Sequence, residues 1–131
     1  MPTQSDEYLF VYGTLRKGLN HPMHRVLEQN GTYLGVGVFQ GRLYNLGLYP
    51  GAVASTDKSA QVIGELYKLE RNRQALDRLD NYEGRLFARR RVSILLDTRD
   101  TIPAWIYLYC GEVEESRRIP SGDYLAYLNG G

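Results

Sequence analysis

Two carboxylates and one glycine-containing turn are the residues of this sequence best suited to chemistry. Glu83 follows Leu76 and Leu79 at the spacing i, i+3, i+7. On a helix that spacing puts Glu83 on the stripe that carries the leucines into the core. Near a helix C-terminus the macrodipole disfavours a further negative charge, and burial disfavours ionisation as well. Both effects strengthen the hold of a carboxyl on its proton, which suits a general base working near neutral pH. The alternative is a helix ending at Asp80, which leaves Glu83 a solvated loop residue. Glu65 alternates with Ile63 and Tyr67, so it is either the rival for the same role, facing inward from a strand, or an exposed strand residue.

Tyr12-Gly13-Thr14-Leu15-Arg16 follows an apolar, aromatic run directly. A glycine after a strand lets the backbone turn sharply and present successive N–H groups, a nest able to bind a carboxylate or phosphate. The two-glycine frame and Lys-Ser/Thr pair of a phosphate-binding loop are missing, and an ordinary strand-to-loop turn is the alternative. His21, His24 and Glu28 share the i, i+3, i+7 spacing. Without a further His, and with no Cys near them in sequence, they read as a partly exposed amphipathic turn, and no metal is expected. Cys110 closes an apolar strand with no histidine near it in sequence, which points to a buried, inert thiol. Arg89-Arg90-Arg91 reads as a solvated basic patch, at most two of its side chains pointing one way from a strand. No Ser-His-Asp set, dinucleotide fingerprint or phosphate loop is present.

The elements that must position these residues are mostly short strands, expected at 8–12, 32–39, 41–44, 61–69, 87–96 and 102–109. In the last, Ala104, Ile106 and Leu108 fall on one face and Trp105, Tyr107 and Tyr109 on the other. Gly64, inside the fourth of these strands, suggests a bulge or a close backbone contact. Residues 45–54, around Tyr49-Pro50-Gly51, read as a glycine-rich loop. A short helix is expected from Pro22 to about Glu28, a clear one over 71–82 with Asn72 as N-cap and Gly84 as stop, and a last helical turn over 123–128. One clear helix among some six strands predicts an α+β protein with a closed or highly curved sheet.

Composition narrows the function class. The 131 residues predict a single domain over 1–131. Sixteen Lys and Arg against 15 Asp and Glu give a net charge of +1, so no overall attraction to nucleic acid or an anionic membrane is expected. A single cysteine excludes a disulfide within the chain and a cysteine-based zinc cluster. Residues 1–7 are polar and show no signal-peptide pattern, and no apolar run approaches the roughly 18 residues of a membrane span. A cytoplasmic protein, monomeric in the simplest reading, is therefore expected. Glycine (14) and tyrosine (11) are abundant, which suits tight turns, strands and aromatic pocket walls.

Taken in order, Tyr12-Gly13-Thr14-Leu15-Arg16, Tyr49-Pro50-Gly51, Gly64-Glu65-Leu66-Tyr67, Leu79-Asp80-x-x-Glu83-Gly84, Arg89-x-x-Val92 and Ser121-Gly122-Asp123-Tyr124 resemble the motifs of the gamma-glutamylcyclotransferase-like family over nearly the whole chain. The resemblance implies a small mixed β-barrel flanked by helices, with a cavity at one end. It implies a reaction in which the α-amine of a small gamma-glutamyl compound attacks the side-chain amide carbonyl, releasing 5-oxoproline and a free amine or amino acid. Glu83 would be the general base and acid; Tyr12, Gly13, Thr14, Leu15 and Arg16 would hold the glutamyl end; Tyr49, Pro50, Gly51 and Tyr124 would complete the site. No cofactor or metal is implied. Two positions depart from the family pattern: Phe87 stands where a tyrosine is frequent, and Tyr124 where tryptophan is common. A non-catalytic protein binding a glutamyl-like metabolite is the competing expectation, and a single-strand nucleic-acid binder using Arg89 to Arg91 a third.

Overall fold

Among the described residues, six strands and three short helices make up the fold. A computed structural model describes residues 7–13, 24–69 and 73–130, apart from the side chains of residues 26, 30, 73–75, 82 and 83. The strands are β1 (Glu7–Val11), β2 (Gly31–Asn45), β3 (Pro50–Ala54), β4 (Gln61–Leu69), β5 (Phe87–Leu96) and β6 (Thr101–Tyr109). The helices are α1 (His24–Asn30), α2 (Arg73–Glu83) and α3 (Tyr124–Leu128), with 3-10 turns at Gly84–Leu86 and Glu115–Arg117.

The sheet runs β3-β2-β4-β1-β6-β5 and closes because β2 also pairs with β5, Gly37 against Leu96 and Val38 against Leu95. Strands β2, β4, β1, β6 and β5 form a five-strand barrel, and β3 extends β2 beyond it. The barrel is mixed: β1 lies parallel to β6 and antiparallel to β4. This is the expected α+β architecture.

Two expectations about strands are corrected. Residues 32–39 and 41–44 are one strand, β2, because the chain keeps its pairing with β4 from Gly31 to Gln40 and then passes to β3 from Gly41 to Asn45. The curvature needed is taken up by a bulge between Tyr33 and Gly35 rather than by a break. Within the expected loop 45–54, residues Pro50–Ala54 form β3; Pro50 opens the strand, where its missing N–H costs no ladder bond.

Strand alternation sorts the apolar residues into two layers. Phe10, Leu43, Val62, Leu66, Ile94, Ala104 and Ile106 fill the barrel. Leu9, Val11, Tyr67, Leu69 and Tyr107 face outward and are covered by Leu27 of α1 and Leu76 and Leu79 of α2. The faces expected for β6 are those observed. Gly64 lies where β4 crosses the barrel interior: a Cβ there would meet the Val11 carbonyl oxygen and come within 2.6 Å of the Phe10 ring. A close contact, not a bulge, requires this glycine.

Several tyrosines are held neutral by burial. The Tyr67 phenol is raised well above its ordinary value of 10.0, first by burial and then by the neighbouring Glu65 carboxylate. Tyr124 is raised by burial, and Tyr44 by burial and by its hydrogen bond to Glu115.

Two predictions follow from the layers. Gly64→Ala should destabilise the fold by about 1–3 kcal/mol through overpacking and lower the melting temperature by roughly 5–10 °C; an unchanged melting temperature contradicts the close contact. The folded chain binds the phenol protons more tightly than the unfolded one, so stability is complete below about pH 10 and falls as pH rises beyond it. Urea midpoints measured from pH 8 to 11 should show that decline, and Tyr67→Phe should make it shallower.

Candidate active site

The sequence-predicted glycine turns meet at one end of the barrel. The Tyr12 hydroxyl, buried, donates to the Tyr107 carbonyl oxygen at 2.7 Å and accepts from the Ala52 N–H at 3.1 Å. These two bonds tie the end of β1 to β6 and to β3. A Cβ placed on Gly13 would lie 2.7 Å from Pro50 Cγ, and one on Gly51 would lie 2.9 Å from Tyr109 Cβ. Gly13 thus packs its bare backbone against the Pro50 ring, and Gly51 against the Leu46 and Tyr109 side chains, at distances only glycine permits. Tyr12 serves here as a buried strut; its hydroxyl is engaged within the protein.

Aromatic rings continue the same end. Phe87 lies 5.8 Å from Tyr49 and 5.6 Å from Tyr109, centroid to centroid. A cleft of about 360 Å³ opens on one side of this wall, lined by Asp80, Gly84, Phe87, Arg89, Trp105 and Tyr107. A second, of about 310 Å³, opens on the other, with Tyr44, Tyr49, Tyr109, Glu112 and Arg117 among its lining. Aromatic rings interleaved with charged groups, at this size, suit a small polar metabolite.

Helix α2 delivers Glu83 to this end. The helix runs through Glu83 rather than stopping at Asp80, so the leucine periodicity extends to that position. Gly84 then takes a φ of 72°, the left-handed conformation that ends a helix. The following 3-10 turn is anchored where the Cys110 N–H donates to the Leu86 carbonyl oxygen at 2.8 Å. The Glu83 side chain and residues Thr14, Leu15, Arg16, His21, Pro22 and Asn72 lie outside the described residues.

One turn before Glu83, Asp80 holds a network that sequence reading missed. Its carboxylate accepts from Arg89 Nε at 2.9 Å, from Arg89 Nη2 at 3.1 Å and from the Tyr107 hydroxyl at 2.6 Å. The Arg89 guanidinium lies 4.4 Å from the Trp105 ring centroid and that of Arg91 4.8 Å from it. Glu7 accepts from Trp105 Nε1 at 3.0 Å and pairs with Arg91 at 3.5 Å. Two of the three arginines do point one way, but they are engaged by carboxylates and an indole rather than forming a purely solvated patch. The signal was the spacing Arg89-x-Arg91 against Trp105-x-Tyr107; its meaning depends on a strand register, Arg91 opposite Trp105, that sequence does not state.

Glu65 is buried, paired in register with Val11, and accepts from the Tyr67 hydroxyl at 3.2 Å. It is not an exposed strand residue. Tyr124 is buried in the barrel core, stacked on Tyr127 at 6.3 Å. His24 is buried edge-on to Tyr67 at 5.9 Å and lies 3.8 Å from Glu28. Among the described residues no group of three or more His, Cys, Asp or Glu is placed to hold a metal ion, and no helix is long and apolar enough to cross a membrane. Cys110, expected to be buried, is exposed, because the strand ends one residue before it.

Comparison with known proteins places this arrangement. Residues 9–126 match the family described as gamma-glutamyl cyclotransferase, AIG2-like. A provisionally named gamma-glutamylcyclotransferase of Methanocaldococcus jannaschii is 34% identical over 126 residues, covering 92% of this chain and 98% of that protein. The gamma-glutamylcyclotransferase family protein YtfP of Escherichia coli K12 is 35% identical over 121 residues, covering 89% and 95%. The solution structure of Escherichia coli ytfP superposes with a TM-score of 0.64 over 92% of this chain and 97% of that one. The crystal structure of YkqA from Bacillus subtilis, at 25% identity, gives 0.75 over 94% of this chain and 41% of that longer one. The closed barrel, the six motifs in order and these matches agree: the chain belongs to the gamma-glutamyl cyclotransferase, AIG2-like family and is an enzyme of the cyclotransferase type.

Proposed function

We propose that the protein converts a small gamma-glutamyl amine or amino acid into 5-oxoproline and the free amine, with Glu83 moving the proton. The α-amine nitrogen attacks the side-chain amide carbon and a five-membered ring closes. The amide C–N bond then breaks, and the amine departs with the proton that the α-amine gave up. An ammonium must lose a proton to attack, and an amide nitrogen must gain one to leave; one carboxyl can do both in turn. Tyr12 to Arg16 would receive the α-carboxylate or the developing oxyanion on backbone N–H groups. Tyr49, Pro50 and Gly51 would close the opposite wall.

The observation that carries this proposal is the convergence at one barrel end of Tyr12-Gly13, Pro50-Gly51, the aromatic wall and the turn that follows Glu83. Phe87 gives the centre of that wall no hydroxyl, so its polar tips come from Tyr49 and Tyr109 on either side. Tyr124, buried in the core and stacked on Tyr127, has no substrate contact in this reading.

Incubation with a panel of gamma-glutamyl amines and amino acids should yield 5-oxoproline, detected by mass spectrometry. Glu83→Gln should lower kcat by about 10²- to 10⁴-fold, the usual range for loss of a general acid–base group, with a melting temperature near wild type. Turnover retained in that variant overturns the assignment of the base. Calorimetric binding of the same compounds without product would instead identify a metabolite-binding protein.

A further inference from the structure

We propose that Asp80 is a positioning residue whose carboxylate clasps the last turn of α2, and with it the backbone of Glu83, to the strand ends that carry the Tyr12-Gly13 turn. The catalytic half of this inference rests on the function proposed above; the mechanical half does not.

The carboxylate holds three donors: Oδ1 accepts from both Arg89 Nε and the Tyr107 hydroxyl, and Oδ2 from Arg89 Nη2. Three donors hold the carboxylate in one orientation, and the role proposed for it is geometric. The two-pronged contact with Arg89 fixes direction as well as distance, because a planar guanidinium matches a carboxylate along two parallel N–H bonds. Arg89 itself lies over the Trp105 ring, 4.4 Å from its centroid. The hold therefore reaches three elements: α2 through Asp80, β5 through Arg89 and β6 through Tyr107. Tyr107 continues the chain, since its carbonyl oxygen accepts from the Tyr12 hydroxyl. Two hydrogen bonds, of 2.6 and 2.7 Å, joined by the covalent frame of Tyr107, run from the helix turn before Glu83 to the residue before Gly13.

Apolar packing alone does not set this geometry. Leu76 and Leu79 bury the helix against the sheet, yet a stripe of leucines tolerates small rotations and slides of a helix, while a bidentate ion pair does not. Helix ends open more readily than helix centres, and this end lacks a basic residue in its last turn to offset the dipole. The clasp stands where fraying would otherwise displace Glu83.

The experiment measures amide hydrogen exchange and steady-state kinetics on wild type, Asp80→Asn and the milder Tyr107→Phe. Exchange in the segment 81–86 should rise roughly tenfold or more in Asp80→Asn, and less in Tyr107→Phe, with β4 and β1 unchanged. In the same variants kcat should fall by roughly tenfold or more while KM stays within about twofold, since the reacting geometry is lost but the cleft remains. Unchanged exchange at 81–86 in both variants overturns the clasp and leaves the proposed function standing. A rise in exchange with kcat and KM both at wild-type values supports the clasp as mechanical and overturns its catalytic half. A wild-type protein that turns over no gamma-glutamyl compound, with exchange still raised in the variants, overturns the proposed function and supports the mechanical half.

Discussion

The structure depends on the closing of a five-strand sheet on itself by two residue pairs, Gly37 with Leu96 and Val38 with Leu95. A barrel of so few strands has an interior only wide enough for side chains, and Phe10, Leu43, Val62, Leu66 and Ile106 fill it. Among the described residues the interior is therefore packed with side chains. A site has to be built at an end, from turns between strands and from whatever helix reaches that end. The glycines follow from the same constraint: with no slack inside, Gly64 is fixed by the Phe10 ring, and at the end Gly13 and Gly51 leave room for the side chains of Pro50 and Tyr109 against their backbones.

Closing the sheet fixes the strands relative to one another but not the helices relative to the strands. Apolar burial supplies most of the affinity of α2 for the barrel and little of its orientation, because it is non-directional. Orientation comes from polar groups set into the apolar layer. The Tyr12 hydroxyl, both donor and acceptor, joins β1, β3 and β6; the Asp80 carboxylate joins α2, β5 and β6. Each is partly or wholly shielded, where a satisfied hydrogen bond is strong and an orphaned partner is costly. The end of the barrel is thereby more rigid than its loop connections suggest, a property that sites of chemistry need.

Local patterns in the sequence carried a good part of this. Strands β4 and β5 fall where alternation puts them, the faces of β6 are as read, and Leu76 and Leu79 lie buried on α2 as their spacing requires. What was illegible is non-local. Residues 31–45 look like two strands because glycines interrupt them, and only the partners β4, β5 and β3 make them one. Residues 50–54 look like a loop because Pro50 and Gly51 are turn formers, yet β2 offers them a free edge. Arg89 looks solvated until the register sets it beside Trp105 and Asp80. Cys110 looks buried because its neighbours are apolar, but the strand ends before it. For the site, the motifs Tyr12-Gly13 and Pro50-Gly51 were legible as turns, and their contact was not.

For the proposed cyclisation, a small end-of-barrel site is sufficient because of where the reacting groups reside. Nucleophile and electrophile belong to one molecule, so the enzyme needs no second substrate subsite and no nucleophile of its own. The entropy of bringing two reactants together, worth about 7–11 kcal/mol in favourable intramolecular reactions, is already largely spent in the substrate's covalent frame. What is left to the protein is to fold a flexible chain toward a ring, stabilise charge on one oxygen, and carry one proton. Backbone N–H groups after a strand and a single carboxyl at a helix end meet those needs. They also explain why the structure invests in the placement of that helix end: with one group carrying the proton both ways, an error of an ångström in its position is felt twice, once on attack and once on departure.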